Sequence, residues 1–162
     1  MSQSLFTGFQ ASLFDPLDNL PADLRKDIET GWASDFRLLV LPEIVRLERM
    51  FAPLYSSRRN TRPSTPTYIL LSLLVLQLAF GLSDRQVFEK IHSDLNWQYA
   101  IGTETLPLQP ISRSSLTRFR SLCTRHRAGS ADLFALFGQS LHQKLKKTES
   151  RTWIVRQILE VL

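Results

Sequence analysis

The sequence predicts an all-α fold: a compact multi-helix domain with a helix-turn-helix-like basic helix and a loosely ordered N-terminal arm. Three observations lead there. Apolar residues recur at helical spacing in stretches punctuated by proline and glycine. No stretch shows the alternation between hairpin turns that marks strands. The chain of 162 residues is 43% hydrophobic and 22% charged, enough for a real core and ordinary in charge.

Residues 1–20, with Pro16 and several polar side chains, read as the arm. "PADLRKDIETG" predicts a short helix opened by Pro21 and closed by Gly31. "LPEIVRLERMFAPLY" predicts a helix with Pro42 in its first turn, and Ile44, Leu47, Phe51 and Leu54 form its apolar face. Ser56 to Pro66 is a basic connector rich in Ser, Thr and Pro. Thr65 is expected to cap the next helix, with Pro66 at its first position and Gly81 near its end. That helix is apolar all round and should be central. Its core "YILLSLLVLQLAFGL" spans fifteen residues and includes Ser72 and Gln77. A membrane span needs roughly 20 apolar residues, so the stretch reads as a buried helix and no membrane partner is expected. Ser83 and Gln86 then have capping-box spacing, Asp84 suits a helix N-terminus, and Val87, Phe88 and Ile91 face inward. "LNWQYAIG" gives a turn or two of helix stopped by Gly102, and "TETLPLQP" a loop. Ser112 should cap the segment "SRSSLTRFRSLCTRHR", which Gly129 ends. A helix from Ser130 to about Lys147 and a last amphipathic one in "RTWIVRQILEVL" complete the chain.

Charge is unevenly placed. Residues 1–52 hold 5 Arg and Lys against 8 Asp and Glu, net −3, while residues 53–162 hold 15 against 7, net +8. This asymmetry points to a polyanionic partner for the later part, most simply nucleic acid. Cys123 is the single cysteine, so no intrachain disulfide forms and a reducing compartment fits. "MSQSLFTGFQ" has neither the basic nor the apolar region of a secretory signal, and a cytoplasmic protein is expected.

The segment Ser112–Arg127 sharpens the partner. Wound as a helix, it gathers Leu116, Phe119, Leu122, Cys123 and His126 on one side. Ser114, Thr117, Arg118, Ser121, Thr124 and Arg125 gather on the other, with Arg113, Arg120 and Arg127 along one flank. No acidic residue occurs between Glu104 and Asp132. Solvated faces usually mix both signs, because opposite charges relieve repulsion. A face of only Arg, Ser and Thr suits phosphate oxygens, and arginine also grips guanine edges bidentately. The alternatives are an ordinary solvated face and an acidic protein partner. The residues expected to contact DNA are Arg113, Ser114, Thr117, Arg118, Arg120, Ser121 and Arg125 on this segment, and Arg58, Arg59 and Arg62 in the connector. The run Gly102 to Pro110 is longer than a helix-turn-helix turn, so the arrangement is like that motif without being a standard one.

Six elements in order resemble the N-terminal domain of DDE-type insertion-sequence transposases. They are the upstream helix ending "FAPLYS", Arg62–Pro63 before the apolar helix, Gly81 to Arg85, the polar helix after it, the aromatic segment Trp97 to Gly102, and Ser115, Leu116, Phe119 and Arg120. The likeness covers roughly residues 40–125. It implies recognition of double-stranded transposon-end DNA during DNA transposition and recombination, in a bacterial, nucleoid-associated setting. In that family, catalysis belongs to a following ribonuclease-H-like domain whose three carboxylates bind two metal ions. Only Glu149 and Glu160 are acidic after Lys147, so the chain is expected to be a truncated, non-catalytic form. The expected division is 1–34, arm and short helix; 35–147, helical DNA-binding domain; 148–162, C-terminal helix or tail.

Other chemistry finds little support in the spacings. Cys123 and His126 are Cys-x-x-His, but zinc takes about four ligands and no second cysteine exists. The six glycines are dispersed, so no phosphate-binding loop forms. Asp15, Asp18, Asp23 and Asp27 are too sparse for a calcium loop. No cofactor or metal is expected. Trp32, Trp97 and Trp153 could stack on bases, but Trp97 with Tyr99 reads as core. "HQKLKK" complements a helix C-terminus or touches DNA backbone. The face of the last helix offers a surface for a homodimer. The rival to DNA binding is a helical protein-interaction or oligomerisation module, and a third reading is an enzyme of another type.

Overall fold

In the computed structural model, the described residues are 17–54, 65–106, 108–128, 131–149 and 152–162. Their order is α1 (Ala22–Thr30), α2 (Trp32–Asp35), a π-helical turn (Phe36–Val40), α3 (Leu41–Leu47), a 3-10 stretch (Glu48–Leu54), α4 (Thr67–Phe80), α5 (Asp84–Ser93), α6 (Leu95–Ile101), α7 (Ser115–Arg125), β1 (Arg127–Ala128), β2 (Ala131–Asp132), α8 (Leu133–Lys147) and α9 (Trp153–Val161). The all-α class holds. The two strands form one antiparallel ladder, with Arg127 opposite Asp132 and Ala128 opposite Ala131.

The expected punctuation is visible at several boundaries. Gly81 closes α4 in the left-handed conformation at φ 64°, with the Leu82 N–H bonded to the Gln77 carbonyl at 3.0 Å. Ser83 and Gln86 form the capping box of α5. Between them the chain turns by 112° from α4 into α5. Gly102 ends α6 at φ 80°. Gly31 follows α1 as expected.

Other boundaries are corrected. Pro42 stands in the first turn of α3 as expected, but helical backbone already precedes α3 from Trp32. Proline lacks an N–H and crowds the carbonyl four residues back, so an α-helix would normally stop there. Here the π-helical turn absorbs the change, with the Leu41 N–H reaching back to the Phe36 carbonyl. Thr65 is not a cap: α4 starts one residue late for that, and the Thr65 hydroxyl donates to the Pro110 carbonyl instead. Ser112 does not cap α7. The helix starts at Ser115, whose Oγ accepts the Ser112 N–H at 2.8 Å. α8 starts after Asp132, not at Ser130, and Asp132 Oδ1 accepts the Ala135 N–H at 2.7 Å. His126 is exposed, not on the apolar side, because α7 ends at Arg125 and the helical register stops with it.

α4 is the central element. Ile69, Leu70, Leu71, Leu73, Leu74, Val75, Leu76 and Ala79 are all buried around its circumference. α9 lies against it and buries Ile154, Val155 and Ile158 completely, each contributing roughly 2 kcal/mol of apolar transfer. The three tryptophans meet at Phe80: its ring centroid lies 5.0 Å from Trp32, 5.6 Å from Trp97 and 5.4 Å from Trp153. This cluster joins α2, α4, α6 and α9. A second aromatic cluster holds α7. Phe119 lies 5.5 Å from Phe51, which lies 5.7 Å from Phe137 of α8. Among the described residues no single helix is long and apolar enough to cross a membrane.

Candidate nucleic-acid interface

α7 divides as an amphipathic helix should. Leu116, Phe119 and Cys123 are buried, and Leu122 packs partly against the core. Burial pushes the Cys123 thiol up to about 11, so it stays a neutral core group. Cys123 inside and His126 outside do not converge. On the other side Arg113, Ser114, Thr117, Arg118, Ser121, Thr124 and Arg125 are exposed.

These residues differ in what holds them. The Arg113 guanidinium sits 5.4 Å from the centroid of the Phe88 ring on α5, a cation–π contact. Arg125 Nε donates to the Ser121 carbonyl at 3.2 Å, and Thr124 Oγ1 to the Arg120 carbonyl at 2.8 Å. Both bonds lie within the helix and leave the guanidinium charge of Arg125 uncompensated. Among the described residues, Arg113, Arg118 and Arg125 form no ion pair with a carboxylate. Beyond them, α8 packs on α7 and ends with Lys144, Lys146 and Lys147 exposed.

Arg120 and Thr117 behave differently. Arg120 is half-buried and pairs with Asp84 at the start of α5, while its Nη1 donates to Gln77 Oε1 on α4 at 3.0 Å. Gln77 Nε2 in turn donates to Asp84 Oδ1 at 2.8 Å, and Thr117 Oγ1 to Asp84 Oδ2 at 3.0 Å. The Arg120 hydrogen bond holds the Asp84 carboxyl well below its ordinary value, at about 2; burial opposes this, and Gln77 and Thr117 assist. The four side chains therefore tie α4, α5 and α7 together around the glycine corner.

Arg58, Arg59 and Arg62 lie outside the described residues. The connection from α6 to α7, Gly102 to Ser114, is held by several bonds, the Thr65 hydroxyl on the Pro110 carbonyl among them. Arg37 Nη1 donates to the Tyr99 carbonyl at 2.9 Å and to Glu104 Oε1 at 2.6 Å, and Gln109 Nε2 donates to the Thr103 carbonyl at 3.1 Å. Three participants escape sequence reading: Gln77, Phe88 and the pairing role of Asp84. Asp84 reads locally as a helix-start residue, and nothing nearby announces a partner 36 positions later. Among the described residues no three His, Cys, Asp or Glu side chains come together as a metal-holding group.

A family model described as Transposase domain (DUF772) matches residues 33–122, from α2 through most of α7. No curated protein and no solved structure matches the chain.

Proposed function

Because this chain belongs to the transposase-domain family, we propose that it is a module that binds double-stranded DNA at transposon ends during DNA transposition. α7 is the contact element. Arg113, Arg118 and Arg125 neutralise phosphates, Ser114 and Ser121 donate hydroxyl hydrogen bonds to the backbone, and a subset of the arginines reads base edges. The helix works in a helix-turn-helix-like manner, with α5 and the long connection carrying it to the groove. Arg58, Arg59 and Arg62 add backbone or minor-groove contacts. The reading assigns no catalytic step to these residues.

The observation that carries it is the exposed α7 face, made of Arg, Ser and Thr with no carboxylate paired to Arg113, Arg118 or Arg125 among the described residues. An uncompensated cationic face stores repulsion that a polyanion relieves.

The test is fluorescence anisotropy with a labelled mixed-sequence duplex over a salt series. Replacing Arg118 and Arg125 together by alanine should weaken binding and lower the slope of log affinity against log salt by about two, one per lost phosphate contact. An unchanged affinity and slope removes α7 from the interface. The rival protein-interaction reading draws on Leu38, 70% exposed, and Trp153, 45% exposed. It predicts salt-insensitive self-association or partner capture and no shift with any duplex.

A further inference from the structure

We infer that Asp84, Arg120, Gln77 and Thr117 form a latch that sets the pose of α7, so that Arg120 and Thr117 are positioning residues and not DNA contacts. This rests on the DNA reading of α7 for its functional meaning, though the latch itself is a property of the fold.

The geometry carries the inference. A guanidinium free to meet phosphate would project from the exposed face, as Arg118 does. Arg120 instead turns to the side, spends one nitrogen on the Asp84 carboxylate and another on the Gln77 amide oxygen, and is half-buried there. Thr117 belongs by its exposure to the outer face, but its hydroxyl proton goes to Asp84. Gln77 joins the circuit from the other side, donating to Asp84 while accepting from Arg120. Arg120 and Gln77 each bond two other members, Thr117 bonds Asp84, and the Asp84 carboxylate accepts from all three.

The placement gives the latch its leverage. Gln77 and Asp84 straddle the corner where Gly81 and the Ser83 capping box turn α4 into α5. The corner is backbone-defined, so the two side chains make a fixed socket. Arg120 and Thr117 lie one turn apart on α7, so binding both fixes the rotation of α7 about its axis as well as its distance. Phe119, between them in sequence, is buried against Phe51 on the inner side. A hydrophobic anchor and a polar latch on adjacent faces leave α7 one orientation, the one that turns Arg118 and Arg125 outward.

Two explanations of Arg120 predict opposite signs. If Arg120 is a phosphate contact restrained by Asp84, then Asp84→Asn frees it, removes a negative charge, and tightens duplex binding. If the latch positions α7, Asp84→Asn and Arg120→Gln both weaken binding several-fold, and neither lowers the salt slope, whereas Arg118→Ala lowers it by about one.

The experiment measures wild type, Asp84→Asn, Arg120→Gln and the double variant by thermal melting and by anisotropy with the mixed-sequence duplex. The latch predicts that each single variant lowers the melting temperature and that the double variant falls no further than the worse single one. Tighter binding by Asp84→Asn, a salt slope reduced by Arg120→Gln, or additive melting losses would each overturn it. If wild type binds no duplex at low salt, the DNA reading fails, and the melting cycle alone decides whether the latch exists. Should Asp84→Asn not fold, Gln77→Ala takes its place in the cycle with Arg120→Gln, where non-additive melting losses support the latch and additive losses overturn it.

Discussion

α5 and α7 are neighbours, nearly equal in length, and both carry arginine or lysine on exposed positions. On α5, Arg85 pairs with Glu89 at 2.8 Å, and Lys90 with the capping Asp94 at 3.0 Å, both four residues apart. On α7, Arg118 and Arg125, with Arg113 two residues before its start, have no acid within the helix to answer them. The one α7 arginine with a carboxylate partner, Arg120, takes it from α5. α5 therefore compensates its own charge and lends a carboxylate to its neighbour, while α7 faces outward with cations alone. A helix built only for solubility follows the α5 pattern. The α7 pattern is one that an external anion completes.

The comparison depends first on α7 having a fixed inner face. Replacing Phe119 by alanine removes a buried ring from between Phe51 and the core and should cost about 3–5 kcal/mol. Chemical denaturation checks it. Arg118→Ala, on the outer face of the same helix, should move stability by less than about 0.5 kcal/mol. Equal losses from both would mean that α7 has no solvent side and would break the contrast with α5.

Next in size is a substitution that gives α7 the charge habit of α5. Arg118→Glu places an acid on the outer face of α7, two turns and about 10 Å along the axis from Arg125. Duplex affinity should drop by about tenfold or more, near 1.4 kcal/mol or above, with the salt slope reduced. Anisotropy at fixed salt measures it. A variant that binds as tightly as wild type would place the contact surface elsewhere, with the exposed lysines of α8 next to be tested.

The division of α7 into two faces was legible in the sequence because helical periodicity is local: Leu116, Phe119 and Cys123 sort themselves from Arg118, Ser121 and Arg125 with no knowledge of the rest of the fold. The capping box at Ser83 and the glycine stops at Gly81 and Gly102 were legible for the same reason. What escaped was set by distance in sequence or by compensation elsewhere. Arg120 falls on the flank of the polar face by periodicity, and only the α4–α5 corner, which brings Asp84 and Gln77 beside it, turns it aside. Pro42 signals a helix start, and α3 does start there, but nothing local announces the π-helical turn that joins it to the helix before it. The family match stops at Leu122, but α9 beyond it buries Ile154, Val155 and Ile158 against α4. Apolar spacing predicted its amphipathic face, but Ile154, Val155 and Ile158, on the face expected to offer a homodimer surface, are covered by α4 of the same chain.

A smaller effect comes from the carboxylate shared between the two helices. Asp84 has its folded value depressed to about 2 from 3.8, chiefly by the Arg120 hydrogen bond. A depressed carboxyl stabilises the fold when ionised, so its contribution is present above pH 3.8 and is lost as pH falls through 3.8 toward about 2. Wild type should therefore exceed Asp84→Asn by about 1 kcal/mol at neutral pH, the scale of a charged hydrogen-bonded pair that is partly exposed. The gap should narrow as pH drops below 4. A gap that is constant with pH would show that the loss in Asp84→Asn comes from packing or capping at the start of α5.

The smallest expected effect is the most direct check on α5. Glu89→Gln removes the acid from the Arg85 pair and leaves Arg85 exposed and unpaired, which moves α5 toward the α7 pattern. Both side chains are largely solvated, so the melting temperature should stay close to that of wild type. Duplex binding discriminates more finely. If α5 stands behind α7 and only positions it, freeing Arg85 should change affinity by less than about twofold and leave the salt slope as it is. If α5 lies along the DNA, the freed guanidinium acquires a phosphate, affinity rises, and the slope steepens by about one. Either result reads on the difference between the helices: the first confines the anion-seeking face to α7, and the second shows that the acids of α5 hold a second cationic face in check.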